Sequence, residues 1–146
     1  MTEAPADEIV RDCLAVRVRL IARAVTALYD GALDRHGLTV AQVNLLAALG
    51  KVGPCPPSRL GEVLQLERST VSRNLRLLQD RGWVEAVASD AKGVREVALT
   101  RAGRSTIRSV MPEWRRAQQR AAQLLGDTGV ATVHEVASAM GYPPEA

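Results

Sequence analysis

Ser69, Thr70, Ser72, Arg73 and Arg76 fall on one side of a helical wheel, and Val71, Leu75 and Leu78 follow i, i+4, i+7 on the other. Such a helix can be buried along one stripe while it presents hydroxyls and guanidinium groups outward. Arginine pairs in bidentate fashion with guanine, and hydroxyls reach phosphates and base edges, so this face suits the major groove of DNA. Asn74 sits among these residues, Arg68 stands at the start of the helix, and Ser58 and Arg59 lie on the helix before it. Lys92 and Arg95 follow on a separate element and complete the candidate DNA-contacting set. Locally the pattern also describes an ordinary amphipathic helix with a solvated basic face. The surrounding elements separate the two readings.

The stretch Ser58–Arg81 reads as two helices broken near Gln65-Leu66, with Pro57 suited to the first position of the earlier one. Gly82 stops the second helix. Trp83–Ser89 and Val94–Leu99 then alternate as strands about an Asp90-Ala-Lys-Gly93 turn, which predicts a hairpin. Upstream, Asp7–His36 reads as one long helix with two neighbouring apolar stripes, ended by Gly37. Thr39 and Gln42 form a capping box for a helix from Val40 to about Lys51 that buries Val43, Leu46, Ala47 and Leu49. Downstream, Thr100 caps a fifth helix through Leu125, which Pro112 should kink or divide. Gly126–Gly129 then breaks the chain before a last helix, Val130–Met140.

Length and composition suit one compact domain: 146 residues, 47% hydrophobic, with no Phe, so Leu, Val, Ile and Ala must build the core. The net charge of +3 is concentrated. Between Ser58 and Arg104 nine basic residues face six acidic ones, and the remainder of the chain is balanced. The excess thus surrounds the two-helix motif, as an electrostatic footprint for phosphate should. The amino terminus is acidic and without an apolar run, and Val40–Gly50 is too short to span a bilayer. A cytoplasmic protein with no membrane association is the expectation. Two cysteines do not make a disulfide framework.

Helix, turn, helix and hairpin, in that order, predict a winged helix-turn-helix over 38–100. Gly37-Leu-Thr-Val-Ala-Gln42, Leu60–Arg73, Leu78-Gln-Asp-Arg-Gly-Trp-Val84 and Val97-Ala-Leu-Thr-Arg-Ala-Gly-Arg104 closely resemble the MarR family of bacterial regulators. The resemblance covers roughly residues 10 to 125. It implies a single MarR-like domain over 1–146, mainly α with a small β-hairpin wing, in which 7–36 and 101–146 supply dimerisation helices. It also implies a homodimer on a palindromic double-stranded DNA operator, usually a repressor in a stress response, released by a small-molecule effector or an oxidant. Apolar stripes on the first helix, and Val110, Trp114, Ala117, Ala121 and Leu124-Leu125 on the fifth, exceed what so small a winged domain can cover. They point to a dimer independently.

This chain departs from the family at three places. Gln65 stands where the family often has Gly. Asp90-Ala-Lys92 and Arg95 replace the wing's usual Asp-x-Arg, leaving the wing contact open between Lys92 and Arg95. Cys13 resembles the sensing thiol of the organic-hydroperoxide branch, but Val40 and Val43 occupy that branch's tyrosine positions, and only Tyr29 remains. Cys13, Arg17 and Tyr29 are therefore candidate ligand or redox residues. A buried cysteine acting as a small hydrophobe is the competing reading for Cys13. Cys55, between prolines, reads as incidental.

His36 reads as a satisfied or capping histidine, and His134 lacks ligand spacing for zinc, so no metal or cofactor is expected. No nucleophile–base set or phosphate loop stands out, which argues against an enzyme. Two alternatives to a DNA-binding regulator stay open: a thiol-based redox sensor acting through Cys13, and a winged-helix adaptor that binds protein.

Overall fold

The computed structural model describes residues 4–143, and over them the chain is mainly helical with one antiparallel hairpin, as its residue pattern predicts. The outermost residues of the unit expected over 1–146 lie outside the described residues. In chain order the elements are α1 (Pro5–Asp12), α2 (Leu14–Leu33), a 3-10 turn (Asp34–His36), α3 (Val40–Val52), α4 (Pro57–Leu64) and α5 (Arg68–Asp80). Then come β1 (Val84–Ala88), β2 (Arg95–Leu99) and α6 (Arg101–Ala139).

Thr39 closes the capping box of α3, its hydroxyl accepting from the Gln42 amide at 3.3 Å while the Gln42 side chain accepts from Thr39 N at 3.1 Å. From that start α3 buries Val43, Leu45, Leu46, Ala48 and Leu49. Ala47, expected inside, is exposed; the helix packs through a broad face, and Leu45 and Ala48 take the inner positions instead. The core joins Leu33, the α3 leucines, Leu60, Val63, the α5 stripe Val71, Leu75 and Leu78, and Val84, Val97 and Leu99 of the hairpin.

The long helix expected over Asp7–His36 is divided. Cys13 adopts extended dihedrals between α1 and α2, and a 3-10 turn follows Leu33. No Pro or Gly marks the break at Cys13. Arg17 stabilises it by donating to the carbonyl oxygens of Cys13, at 3.1 Å, and of Arg11, acceptors that the interrupted helix would otherwise leave to water.

The carboxy-terminal half departs from expectation in the opposite sense. Pro112 does not divide α6; it lies within the helix, and the one non-helical residue there is Gly126, at φ 70° and ψ 168°. Pro112 and Arg108, whose carbonyl loses its donor, both lie on the exposed side, where solvent can donate to that carbonyl. The Gly126 conformation is open only to glycine, and it turns the chain back so that 127–139 returns beside α2 and the first stretch of α6. The break is thus one residue, not the four of Gly126–Gly129.

The α6 stripe is also more covered than expected. Val110, Ala117 and Ala121 are buried within the protomer, where α2 and α6 pack together. The apolar surface left open lies on α1, on α2 and on α6 from Leu124 onward. Ile9, Val10, Leu14, Val16, Val18 and Leu20 are between 64% and 80% exposed, and Leu124, Val133, Val136 and Met140 are exposed as well.

Cys55 is not incidental. Its N–H donates to Val97 O at 3.1 Å and its carbonyl accepts from Val97 N at 2.9 Å, adding a rung to the free edge of β2. Pro54 and Pro56 have no N–H, which limits the rung to this one residue. Its thiol is 4% exposed in the core, and burial pushes the pKa upward, with Glu96 adding to the shift and Arg59 opposing it.

Candidate nucleic-acid interface

Pro57 begins α4 at a position where a missing N–H costs nothing. The helix ends eight residues on, at Gln65, in the left-handed region (φ 51°, ψ 48°). A side chain there costs roughly 1 kcal/mol relative to glycine. The turn is closed by Leu66 N donating to Gly61 O at 2.9 Å. Glu67 then takes extended dihedrals and α5 starts at Arg68.

The buried stripe Val71, Leu75, Leu78 fixes the rotation of α5 against α4 and the core. Ser69, Ser72, Arg73 and Arg76 face outward, and Thr70 is half-buried. Asn74, also half-buried, donates to Thr70 O at 3.0 Å and so caps its own helix face. Arg68, Arg73 and Arg76 make no ion pair among the described residues. Ser58 and Arg59 are close by on α4, but Arg59 is shared with Glu62 at 3.3 Å. Arg81, part of the same charge excess, is exposed but lies back against the protein. Its guanidinium donates to Gly37 O and His36 O at 3.3 and 3.4 Å and lies 4.2 Å from the Trp83 ring centroid. It fastens the end of α5 to the frame.

In the hairpin, Val84 pairs with Leu99 and Ala88 with Arg95. Strict alternation fails in β1, because Val84 is buried while Ala86 is exposed. The turn is held by Ser89, whose hydroxyl donates to Glu96 at 3.0 Å and accepts from Ala91 N at 3.1 Å. Lys92 sits in the turn itself, whereas Arg95 is the first residue of β2. Both are exposed and unpaired among the described residues, with Lys92 farther out along the wing.

Residues remote from this face form a second constellation. Arg17 lies beside Cys13 through its bond to the Cys13 carbonyl, and Cys13 is half-buried. Tyr29 does not join them, since it lies about 24 Å along the helix at 1.5 Å per residue. It packs instead against Trp114, ring centroids 6.1 Å apart, and its hydroxyl donates to Gln118 Oε1. Burial raises the Tyr29 pKa. Val25, Thr26, Tyr29, Val40, Asn44 and Trp114 line an open hollow of about 260 Å³ between α2, α3 and α6.

His36 is satisfied by Glu113, and Arg35 and Arg116 complete the cluster around that carboxylate. Sequence reasoning passed over Glu113, although a carboxylate between the stripe residues Val110 and Trp114 was a visible signal. Among the described residues no group of three or more His, Cys, Asp or Glu is placed to hold a metal ion. No helix among them is long and apolar enough to cross a membrane.

Residues 36–93 match the MarR family model. The chain is 29% identical over 80 residues to the uncharacterized HTH-type transcriptional regulator YwoH of Bacillus subtilis, a match covering 55% of this chain and 58% of that relative's length. In structure it is similar to M. tuberculosis transcriptional regulator MosR, at TM-score 0.72 and 28% identity, covering 88% of this chain and 97% of that one. It is also similar to a mutant of E. coli MarR complexed with operator DNA, at TM-score 0.80 and 21% identity, covering 94% and 99%.

Proposed function

We propose that the chain is a DNA-binding transcriptional regulator of the MarR family whose α5 enters the major groove, a reading supported by the family-model match over 36–93 and the shared fold. The observation that carries the reading is the outward face of α5. Ser69, Ser72, Arg73 and Arg76 stand exposed, the arginines uncommitted to any ion pair among the described residues, while Arg59 and Arg81 nearby are engaged within the protein. Arg73 and Arg76 would read bases, with Arg68, Ser58, Arg59, Ser69, Thr70, Ser72 and Asn74 along the groove wall. Lys92 is the better placed of the two wing cations to meet phosphate or the adjacent minor groove, and Arg95 supports it from the strand.

The active species is a homodimer on a palindromic operator. Open aliphatic side chains from Ile9 to Leu20 form more apolar surface than a monomer ordinarily exposes, and a second copy would cover it and pair two α5 helices with two half-sites. The protein acts in the cytoplasm as a repressor. The hollow beside Tyr29 and Trp114 takes its small-molecule effector, and no enzymatic step is involved. Oxidant sensing is the second reading, favoured by Cys13 lying half-buried at the α1–α2 break, where modification would disturb the junction. The adaptor reading has less support, because a protein-binding module has no use for an uncommitted arginine face.

Retardation of the protein's own promoter fragment at low salt tests the central claim. The dimer should bind with an affinity that falls steeply as salt rises. A dimer that leaves the fragment unshifted overturns it.

A further inference from the structure

Val71, Leu75 and Leu78 fix the rotation of α5 about its own axis, but apolar contacts are non-directional and leave the tilt of the helix open. The directional contact comes from Arg81, just past the helix end. Its Nη1 donates to Gly37 O at 3.3 Å and its Nη2 to His36 O at 3.4 Å, while the guanidinium carbon lies 4.2 Å from the Trp83 ring centroid. A Cβ on Gly37 would sit 3.1 Å from Nη1, so glycine at this corner keeps the approach open. Among the described residues no other side chain from Arg68 to Arg81 hydrogen-bonds to a different element; Asn74 bonds within its own helix.

Both ends of this contact are anchored. Carbonyls that close a helical turn lack partners within it and carry the negative end of the backbone dipole, so a cation suits them. The corner bearing them continues α2 through the 3-10 turn, and it is pinned to α6 because His36 Nε2 meets Glu113 Oε2 at 3.2 Å. Trp83 belongs to the root of the wing, where its carbonyl accepts from Thr100 N at 3.0 Å. Arg81 thus joins the reading helix and the wing root to the helices proposed for the dimer frame. A planar guanidinium can take two carbonyls and lie on an indole at once, whereas an ammonium on a flexible stem cannot.

We propose that Arg81 is a positioning residue for operator recognition: it sets the tilt of α5 against α2 and α6, and thereby the spacing between half-sites that a dimer accepts. One base pair moves a half-site by about 3.4 Å and turns it by roughly 35°, so a small change in tilt changes which spacing fits. Spacing selection rests on the DNA-binding and dimer readings; the tether does not.

The operator in the protein's own promoter fragment, and copies with one base pair added or removed at its centre, test the spacing. The native chain should prefer its own spacing by at least about tenfold. Arg81→Ala should cut that preference below about threefold, while the penalty for one changed base pair in each half-site stays within about twofold of the native value. Arg81→Lys, which keeps the charge and loses the fork, should behave like Arg81→Ala. An unchanged spacing preference in Arg81→Ala overturns the proposal, and so does full recovery in Arg81→Lys. Equal loss on every duplex, with a salt dependence flattened by about one phosphate contact, would instead make Arg81 a phosphate ligand and overturn it too. Hydrogen exchange without DNA reads the tether by itself. Arg81→Ala should speed exchange at 79–83 by at least about threefold and leave 45–49 in the core unchanged. Unchanged exchange at 79–83 overturns the tether, and equal acceleration in the core overturns positioning in favour of general stability. A native chain that shifts no duplex while this exchange response holds removes the DNA-binding reading, and spacing selection with it, but leaves the tether standing.

Discussion

His36 and Glu113, 77 positions apart, meet at 3.2 Å, and the contact joins the corner after α2 to the middle of α6. An ionised carboxylate only accepts, so the histidine Nε2 carries the proton and donates. Arg116 at 2.8 Å and Arg35 at 3.3 Å share the other oxygen. The Glu113 carboxyl is held below its ordinary pKa of 4.5 chiefly by a backbone hydrogen bond; the His36 bond, Arg116 and Arg35 lower it further, against partial desolvation. A carboxylate depressed in the folded state stabilises the fold fully above its unfolded pKa, and that contribution disappears as pH falls through the folded value. Thermal unfolding of the native chain should therefore weaken more steeply below about pH 4.5 than that of Glu113→Gln, which should already melt lower at neutral pH. Parallel melting curves of the two proteins across that range would remove the cluster from any role in acid sensitivity.

Arg73→Ala should weaken operator binding by about 1–3 kcal/mol and relax preference at one base position, because a bidentate guanine contact is both lost and unreplaced. Lys92→Ala should weaken all sequences alike and flatten the salt dependence by about one phosphate contact. Titrations of operator and scrambled duplex at two salt concentrations separate these outcomes. Equal loss on both duplexes for Arg73→Ala would reassign it to the phosphate backbone.

The parts of this architecture that were legible in sequence are those set by local rules. The Thr39–Gln42 capping box, the Pro57 helix start, the Val71–Leu75–Leu78 stripe and the Thr100 cap each follow from neighbours within one or two turns. The features that escaped depend on distant partners. Arg17 makes a break at Cys13 tolerable by bonding to backbone that no periodicity singles out. Cys55 becomes a strand rung only because Val97 arrives beside it. Pro112 should have divided α6, but it lies on the exposed side, where solvent can donate to the freed carbonyl. The candidate set shows the same division: the α5 face could be drawn on a helical wheel, whereas the bond from Arg81 to the Gly37 carbonyl and the Tyr29–Gln118 pair required the fold.

The two thiols should differ in reactivity. Cys13 is half-buried at a helix junction, whereas Cys55 is enclosed in the core and its pKa is raised above the ordinary 9.0, first by burial and then by Glu96. Since the thiolate is the nucleophile, iodoacetamide near neutral pH should label Cys13 and spare Cys55 until the protein unfolds. Mass spectrometry of the native chain and of Cys13→Ser checks this. Rapid labelling of folded Cys13→Ser would contradict the enclosure of Cys55. Treatment with a hydroperoxide uses the same variant: if Cys13 stays reduced and DNA affinity is unchanged, the oxidant-sensing reading falls.

Gly103 stands where α6 leaves the hairpin, beneath a corner fixed by Thr100, whose N–H donates to Trp83 O at 3.0 Å and whose hydroxyl donates to Gly82 O at 2.7 Å. A Cβ on Gly103 would collide with the Trp83 carbonyl oxygen, which these bonds hold in place, and would sit 2.6 Å from Leu99 Cδ1. Gly103→Ala must therefore displace backbone rather than a flexible side chain, and it should destabilise by about 1–3 kcal/mol. Gly31, on α2, has open space where a Cβ would go. Gly31→Ala should gain about 0.5–1 kcal/mol from helix propensity alone. Urea unfolding of the two variants beside the native chain distinguishes the cases. Loss in Gly103→Ala with gain in Gly31→Ala supports the close approach at the α6 entry, and matched midpoints for the two variants would show that the wing corner yields freely. The wing's orientation relative to α5 would then have to be set by Val84, Val97 and Leu99 in the core rather than by the Thr100 clamp.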